Sequence, residues 1–285
     1  MKTRDFLKMA GLSLLALSVV ALPACDSEDD DAAEAGDGDG DGDGDGDTTM
    51  IRVVHLGVGV PAVDVFANEA EPAAVTNLDF RMATGYLELP AAEYSFQVSL
   101  AGGTPADAAI TAGPLGLEAN TMYSAVAIGT LDAGDLEILP LVDAPPADAA
   151  NIAVQVVHAA PVAGEVDIWE ISDLDNPTPL LENVNYKDAA TLELPPAAYE
   201  LGIDVDDDAV PDLTFSADLS VLPGGSQINV FANNGVDGLA DFTLAGVLGD
   251  EPPTRSTADT IGDLGRAIGA RVPSNLRALA RAARH

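Results

Sequence analysis

Apolar residues recur with a period close to two from Met50 to Val142, in short runs that Gly, Pro, Asn and Asp interrupt. Such alternation is typical of strands that bury one face, and short strands at this spacing favour an antiparallel sandwich or barrel over alternating strands and helices. From Asn151 the pattern starts again. The strands predicted in the first half are Ile51–Leu56, Val63–Ala67, Gly85–Leu89, Tyr94–Leu100, Thr121–Gly129 and Leu136–Val142.

The two halves share landmarks in the same order, and in both a His precedes an Asp by nine positions. The matching segments are Val53–His55 with Val156–His158, Val63–Phe66 with Val166–Trp169, and Leu87–Pro90 with Leu192–Pro195. The sequence therefore predicts an all-β protein of two tandem antiparallel, immunoglobulin-like β-sandwich domains, at 50–145 and 151–250, with a linker at 146–150. Because each half carries its own set of strands, each is expected to fold alone.

The opening motif resembles a bacterial extracellular family, domain-of-unknown-function family 4397. That family's pattern runs Arg-Val-Val-His, then prolines, then Val-Asp-Val-Tyr, and later a Leu-Pro-Ala-Gly-x-Tyr turn. Both halves depart from it: Val58 and Gly164 each replace a proline, and Ala92 and Ala198 replace the turn glycine. The resemblance implies secreted surface proteins of β-sandwich type, present here in two copies, and implies no activity.

Residues 1–24 are interpreted as a lipoprotein signal peptide. A basic start precedes an apolar run from Ala10 to Leu22, which is too short to span a bilayer comfortably. Leu22–Cys25 resembles the bacterial lipobox, whose cysteine is acylated, so lipidation is predicted at Cys25. The alternative is an ordinary signal peptide that is cleaved near Ala24.

Residues 25–49 contain five consecutive Asp-Gly pairs, from Asp37 to Gly46. Glycine keeps such a chain flexible and like charges extend it, which predicts a disordered acidic linker that holds the domains off the membrane. Calcium binding is the alternative, but an EF-hand loop needs a Glu at its twelfth position, which this segment lacks.

The formal net charge is −35, and between residues 26 and 249 the only Arg or Lys side chains are those of Arg52, Arg81 and Lys187. A field of this sign repels nucleic-acid phosphates and excludes binding to DNA or RNA. A solvated surface suited to a salty habitat is the favoured interpretation, and a dedicated cation-binding role is the alternative. Acylation of Cys25, the single cysteine, would leave no thiol for a disulfide, a zinc site or catalysis.

Residues 251–285 form a basic tail instead. Ser274 is placed to cap a helix that would carry Leu276 and Leu279 on one face and Arg277 and Arg281 on the next. Such a helix would contact anionic lipid headgroups or a partner. The alternative is a frayed tail that the chain's own acidic surface holds loosely.

No motif for nucleophilic, metal-dependent or phosphate chemistry is present, so no enzymatic activity, cofactor or metal is predicted. Glycosidase chemistry on a carboxylate pair stays open as an alternative. His55 with Asp64, and His158 with Asp167, are predicted to be structural latches. A turn after the His would bring the next strand's Asp alongside, so that the imidazole can donate to the carboxylate or to a loop carbonyl.

Two further sets of residues each have a structural and a functional interpretation. Asp204, Asp206, Asp207 and Asp208 form an acidic cluster in a predicted hairpin loop, which is either simply solvated or a weak calcium candidate. Phe66 and Trp169 are either core side chains, which is favoured, or platforms for a carbohydrate.

Together these features predict a monomeric cell-envelope lipoprotein, lipid-anchored on the periplasmic or extracellular face, with a non-catalytic role in surface binding, adhesion or envelope structure. Its predicted partners are the membrane, through the lipid, and a cell-wall or extracellular glycan or protein; the sequence defines no ligand-binding residues. The alternative is a carbohydrate- or ligand-binding module with a calcium-stabilised acidic loop. Exposed aromatic residues beside carboxylates would favour that alternative, and flat acidic faces would favour the first function.

Overall fold

The structure is a computed structural model that describes residues 47–205 and 210–248. The first half contains β1 (Thr48–His55), β2 (Val63–Ala67), β3 (Val75–Leu78), β4 (Met82–Ala83), β5 (Leu87–Pro90), β6 (Glu93–Leu100), β7 (Ile110–Gly116), β8 (Met122–Ile128) and β9 (Glu137–Asp143). The second contains β10 (Ile152–Ala159), β11 (Val166–Glu170), β12 (Thr178–Val184), β13 (Ala189–Leu194), β14 (Ala198–Asp204), β15 (Leu213–Asp218), β16 (Gln227–Gly235) and β17 (Gly238–Leu248). Short 3-10 helices lie at Pro105–Asp107 and Leu219–Val221.

The all-β prediction is confirmed. No helix among the described residues is long and apolar enough to span a membrane. The predicted signal peptide, the lipidation site Cys25, most of the acidic linker and the basic tail lie outside the described residues. The linker was predicted to extend to residue 49, whereas β1 begins at Thr48, and Thr49 is already buried.

Four sheets form two sandwiches with the same strand order. In the first sandwich, sheet 1 has the order β4-β1-β8-β9, with β5 also paired to β1, and sheet 2 has the order β3-β2-β6-β7. In the second sandwich, sheet 3 has the order β13-β10-β16-β17 and sheet 4 has the order β12-β11-β14-β15. Apolar side chains of sheets 1 and 2 enclose one core, and those of sheets 3 and 4 enclose another.

One strand pair in each sandwich departs from the predicted antiparallel arrangement. β1 runs parallel to β8, and β10 runs parallel to β16, while the other pairs are antiparallel. Between the two parallel strands the chain passes through the other sheet, and parallel neighbours need a crossover of this kind.

A third apolar core lies between the two sandwiches. Sheet 1 packs its outer face on sheet 3, which places sheets 2 and 4 on the outside of a four-layered body. The buried members of this inter-sandwich core are Val54, Leu56, Ala83, Val126, Ile128, Leu141, Val157, Ala159, Phe231 and Val247. Both sandwiches fall in one compact unit, and whether each half folds alone stays a prediction.

Burial on both faces explains the composition of β1. Ile51 and Val53 point into the first sandwich, whereas Arg52 and Val54 point towards the second, and all four are buried. A strand covered on both sides has no solvated face, so the polar Arg52 and His55 are buried along with the apolar residues of β1.

The segment between the sandwiches is held in place rather than loose. The backbone N–H groups of Ala147 and Asp148 donate to the Glu193 carboxylate on β13, at 2.8 and 3.3 Å. The N–H of Gly225 donates to the carbonyl of Asn151 at 2.7 Å. The predicted linker at 146–150 therefore packs along the second sandwich.

Candidate functional site

The two His residues of the repeated motif occupy equivalent buried positions, each 1% exposed, at the ends of β1 and β10. His55 places Nε2 3.1 Å from the Pro61 carbonyl oxygen, and Nδ1 3.3 Å from the Gly57 backbone nitrogen. His158 repeats this with Gly164 at 2.8 Å and Ala160 at 3.3 Å. Because a carbonyl only accepts, Nε2 carries the hydrogen in both rings and Nδ1 accepts from the backbone N–H.

The surroundings of these rings disfavour the charged form. Burial lowers the pKa of both His55 and His158 from 6.5, and the hydrogen bonds to backbone carbonyls offset part of that effect. Both nitrogens of each neutral ring are occupied by the chain's own backbone. A proton-transfer or metal-binding role would require those contacts to break.

The Asp of each motif holds a neighbouring strand rather than the His. Asp64 accepts from the backbone N–H groups of Asn77 and Gly102, at 2.7 and 2.8 Å, and Asp167 accepts from that of Asn183 at 2.7 Å. Asn77 and Asn183 have φ of 53° and 59°, where β3 and β12 shift register against their partners. Each carboxylate therefore binds an N–H at an irregularity in the strand pairing, and Asn tolerates the left-handed backbone there.

The predicted latch is thus two separate contacts in each sandwich. Of the two acceptors proposed for the imidazole, the structure shows the loop carbonyl and not the carboxylate. Both contacts fix backbone geometry, which agrees with a structural role. Their contribution to stability stays a prediction.

Each His ring also packs edge-on against an aromatic ring, and a cationic side chain lies over that aromatic ring. The His55 ring meets Phe80 edge-on at 6.0 Å, and the guanidinium of Arg81 lies 5.0 Å above Phe80. His158 and Tyr186 are related in the same way at 6.1 Å, with the Lys187 ammonium 5.3 Å from the Tyr186 ring.

Both cations reach the opposite sandwich. Arg81 Nε donates to Asn233 Oδ1 at 2.8 Å, and Lys187 Nζ lies 2.6 Å from Glu137 Oε1. The repeated motif therefore connects, through one aromatic ring on each side, to a pair of polar contacts across the inter-sandwich interface.

A buried polar cluster completes that interface. Asp143 Oδ2 accepts from the Tyr86 hydroxyl at 2.7 Å and from the Ser124 hydroxyl at 2.6 Å, and its Oδ1 accepts from the Asn229 side-chain amide of the second sandwich at 2.8 Å. Arg52 Nη2 lies 3.5 Å from the same carboxylate, and Arg52 Nε donates to Ser124 at 2.7 Å. Burial raises the pKa of the Tyr86 phenol, which keeps it a donor. A charged pair is thus enclosed between two apolar layers with several hydrogen bonds.

Sequence reasoning missed this cluster, although one signal pointed to it. Arg52, Arg81 and Lys187 are the only Arg and Lys side chains between residues 26 and 249, and all three lie at the inter-sandwich interface. Where a strongly acidic chain has few Arg and Lys residues, each of them indicates a position at which a buried or interfacial acidic group needs a positive partner.

The acidic cluster lies only partly within the described residues. Asp204 is buried at the end of β14, whereas Asp206, Asp207 and Asp208 lie outside the described residues. Among the residues described, no group of three or more His, Cys, Asp and Glu side chains is arranged to hold a metal ion. Calcium binding by the acidic loop stays a prediction.

The candidate carbohydrate platforms are not exposed. Phe66 is buried and Trp169 is half-buried. The large apolar side chains that the described surface exposes are all Leu or Val: Leu100, Leu131, Val142, Val162, Leu174, Val210, Val221 and Val236.

A comparison of the sequence with models of protein families gives one match. Residues 49–169 match the family model described as Domain of unknown function (DUF4397). The match supports the domain family that the motif around His55 and Asp64 indicated, and it ends within β11 of the second sandwich.

Other comparisons add little. No curated protein matches the chain. The solved structure "The Bacillus anthracis TIE protein" is similar at 11% sequence identity with a TM-score of 0.21. The alignment covers 66% of this chain and 34% of that one, so the chain spans about a third of that structure. A TM-score this low carries no weight for fold or function.

Acidification should weaken the fold through the two buried rings. The unfolded chain protonates its His residues near pH 6.5, while the folded chain resists protonation because burial lowers their pKa. The stabilising contribution is therefore complete above about pH 6.5 and is lost as the pH falls below it. Urea unfolding between pH 7.5 and about pH 5, where ordinary carboxyls are still mostly ionised, measures this loss.

The matched variant is His158→Ala, which removes one of the two rings together with both of its nitrogens. It should unfold more easily at neutral pH by about 1–3 kcal/mol, because the Gly164 carbonyl loses its buried donor. Its stability should also depend less on pH than that of the wild type over the same range. An unchanged pH dependence would show that His158 is not the titrating group.

Proposed function

We propose that the protein is a non-catalytic lipoprotein of the cell envelope, in which two DUF4397 domains form one rigid acidic body that contacts a partner. Cys25 would carry the lipid, and the Asp-Gly segment would hold the body away from the membrane. The observation that carries this proposal is the inter-sandwich interface, where a shared core and the scarce cations join the two domains. Such a joint gives a tethered module a fixed shape for contact.

The described surface favours a protein partner over a glycan. Sugar-binding faces usually offer exposed aromatic rings, and the large apolar side chains exposed here are aliphatic. Leu131 and Val236 are 45% and 76% exposed, and both lie within 4.0 Å of the position that a side chain would take at Gly59. They stand on the β8–β9 and β16–β17 turns, one from each sandwich.

Acidic neighbours of these two side chains support a basic partner. Asp132 and Asp237 directly follow Leu131 and Val236 in the sequence. A basic protein surface that offers an apolar side chain matches this combination of charge and exposed aliphatic area. Another copy of this acidic chain, or an anionic lipid surface, would be repelled.

Anchoring and contact are tested with three forms of the full chain expressed in a bacterial host: wild type, Cys25→Ala, and the double variant Leu131→Asp with Val236→Asp. Wild type and the double variant should incorporate labelled fatty acid and enter the detergent phase, because acyl chains bury in lipid, whereas Cys25→Ala should stay in the aqueous phase. Identical partitioning of Cys25→Ala and wild type would refute the lipid anchor.

The same forms are then applied to glycan and basic-protein arrays. Wild type and Cys25→Ala should retain basic proteins in a salt-sensitive manner and should not retain glycans. The double variant should lose that retention. Glycan binding that survives in the double variant would favour the carbohydrate-binding alternative instead.

A further inference from the structure

An apolar cavity of about 60 Å³ lies inside the second sandwich, between sheets 3 and 4. Its wall is mostly aliphatic and includes Leu192, Tyr199, Leu201, Ile203, Ser216 and Val230. A single water needs about 10–15 Å³ on this measure, so the space holds roughly four to six water-sized groups.

The cavity wall offers little to a water molecule. Its two side-chain hydroxyls already have acceptors: Tyr199 donates to the Pro195 carbonyl at 2.9 Å, and Ser216 donates to the Glu200 carboxylate at 2.8 Å. Cavities lined by apolar groups stay dry and accept apolar guests, since water gains too few hydrogen bonds inside them. The chemistry of the wall therefore selects a hydrocarbon group.

The first sandwich carries a larger side chain at one position of the equivalent wall. Phe96 on β6 pairs with Ala67 of β2, and Leu201 on β14 pairs with Glu170 of β11. Each follows a Tyr by two positions, so Phe96 and Leu201 are equivalent. The buried Phe96 ring stacks on Tyr94 at 5.9 Å, where the second sandwich has only the shorter Leu201 side chain beside Tyr199.

We propose that the second sandwich binds a small aliphatic group, a hydrocarbon of about four carbons or the end of a longer acyl or prenyl chain. The number of carbons follows from the cavity volume, because a methylene is close to a water molecule in size. The absence of a free polar group among the wall side chains excludes a ligand that must bury a charge there. This site is independent of the contact surface at Leu131 and Val236.

The test is methyl NMR of the full mature chain carrying Cys25→Ala, titrated with xenon and with n-butane. The methyl signals of Leu192, Leu201 and Ile203 should shift and saturate. Those of Val126 and Ile128, in the inter-sandwich core, should not move. Leu201→Phe should abolish these shifts and raise the thermal midpoint, since the ring fills the space that Phe96 fills in the first sandwich.

A second variant keeps the test decisive if Leu201→Phe folds poorly. Val230→Ile narrows the same cavity with a single added methylene and should weaken binding of both probes. A third variant, Phe96→Leu, should create a comparable site in the first sandwich. Absence of saturable shifts in the wild type, or equal binding by Leu201→Phe, would overturn the proposal.

Discussion

Replacing Asp143 with Ala should lower the free energy of unfolding by about 3–5 kcal/mol. The Asp143 carboxylate accepts from Tyr86, Ser124 and Asn229 and lies beside Arg52, and both charged side chains are 1% exposed. Without the carboxylate, a buried guanidinium and several donors lose their partner at once. Removing one partner of a buried ion pair destabilises the fold by far more than the intact pair stabilises it, because the remaining charge stays desolvated.

The control is the exposed ion pair of the same interface. Lys187 and Glu137 are 42% and 44% exposed, so Glu137→Gln should cost less than about 1 kcal/mol. Urea unfolding of both variants at neutral pH gives the comparison. Equal and small effects would mean that the buried cluster does not hold the sandwiches together. A further check is added salt, which should affect the Lys187 pair and leave the Asp143 cluster nearly unchanged.

The strands that alternate apolar and polar residues were predictable, and the irregular ones were not. β1, β2, β5, β6, β8 and β9 were predicted close to their observed positions, whereas β3, β4 and β7 were not predicted. β7 contains Gly113 and Pro114, which normally argue against a strand. β3 is four residues long and includes Asn77 in the left-handed region, so its alternation is too short to detect.

The parallel pairs could not be predicted from alternation, because side-chain periodicity is the same in parallel and antiparallel strands. For the same reason, alternation did not predict the core between the two sandwiches. Val54 and Val126 look like ordinary strand residues, and only the partner sheet determines that both faces of β1 and β8 are buried.

The sequence predicted which residues form the site, but not which contacts they make. Repetition identified His55 and Asp64 as a unit, and both do fix local backbone geometry. The sequence could not distinguish a carboxylate acceptor from a loop carbonyl, since that depends on how the turn after His55 folds back. The role of Arg52 was hidden for a related reason, because its partner lies about ninety positions away.

The interface divides into two chemically different parts. A polar part surrounds Asp143, which contacts both Arg52 and Asn229, and an apolar part surrounds Phe231, which is fully buried. The apolar part supplies the free energy of association, because burial of apolar surface is the main favourable term and has no preferred direction. The polar part allows few alternative alignments, since any slide would leave a buried charge or amide without its partner.

Separating the sandwiches should therefore destabilise both of them. Isolated residues 47–145 would expose Val54, Leu56, Val126 and Ile128, which are all fully buried in the intact chain. Burial of side chains of this size stabilises by about 1.5–3 kcal/mol each, or roughly 6–12 kcal/mol for the four. A domain of this length has about 5–15 kcal/mol in total, so the fragment should be largely unfolded or should associate through its apolar face.

The measurement uses a protease site inserted into residues 146–150 of the full chain, so that folding precedes the cut. After cleavage the two halves should co-elute in gel filtration and melt together, because the inter-sandwich core survives the loss of the connection. The separately expressed fragments 47–145 and 151–250 should show broad or absent thermal transitions alone and should recover a sharp one when they are mixed. If each fragment is monomeric and melts at the temperature of the intact chain, the sandwiches are independent domains and the shared core contributes nothing to their stability.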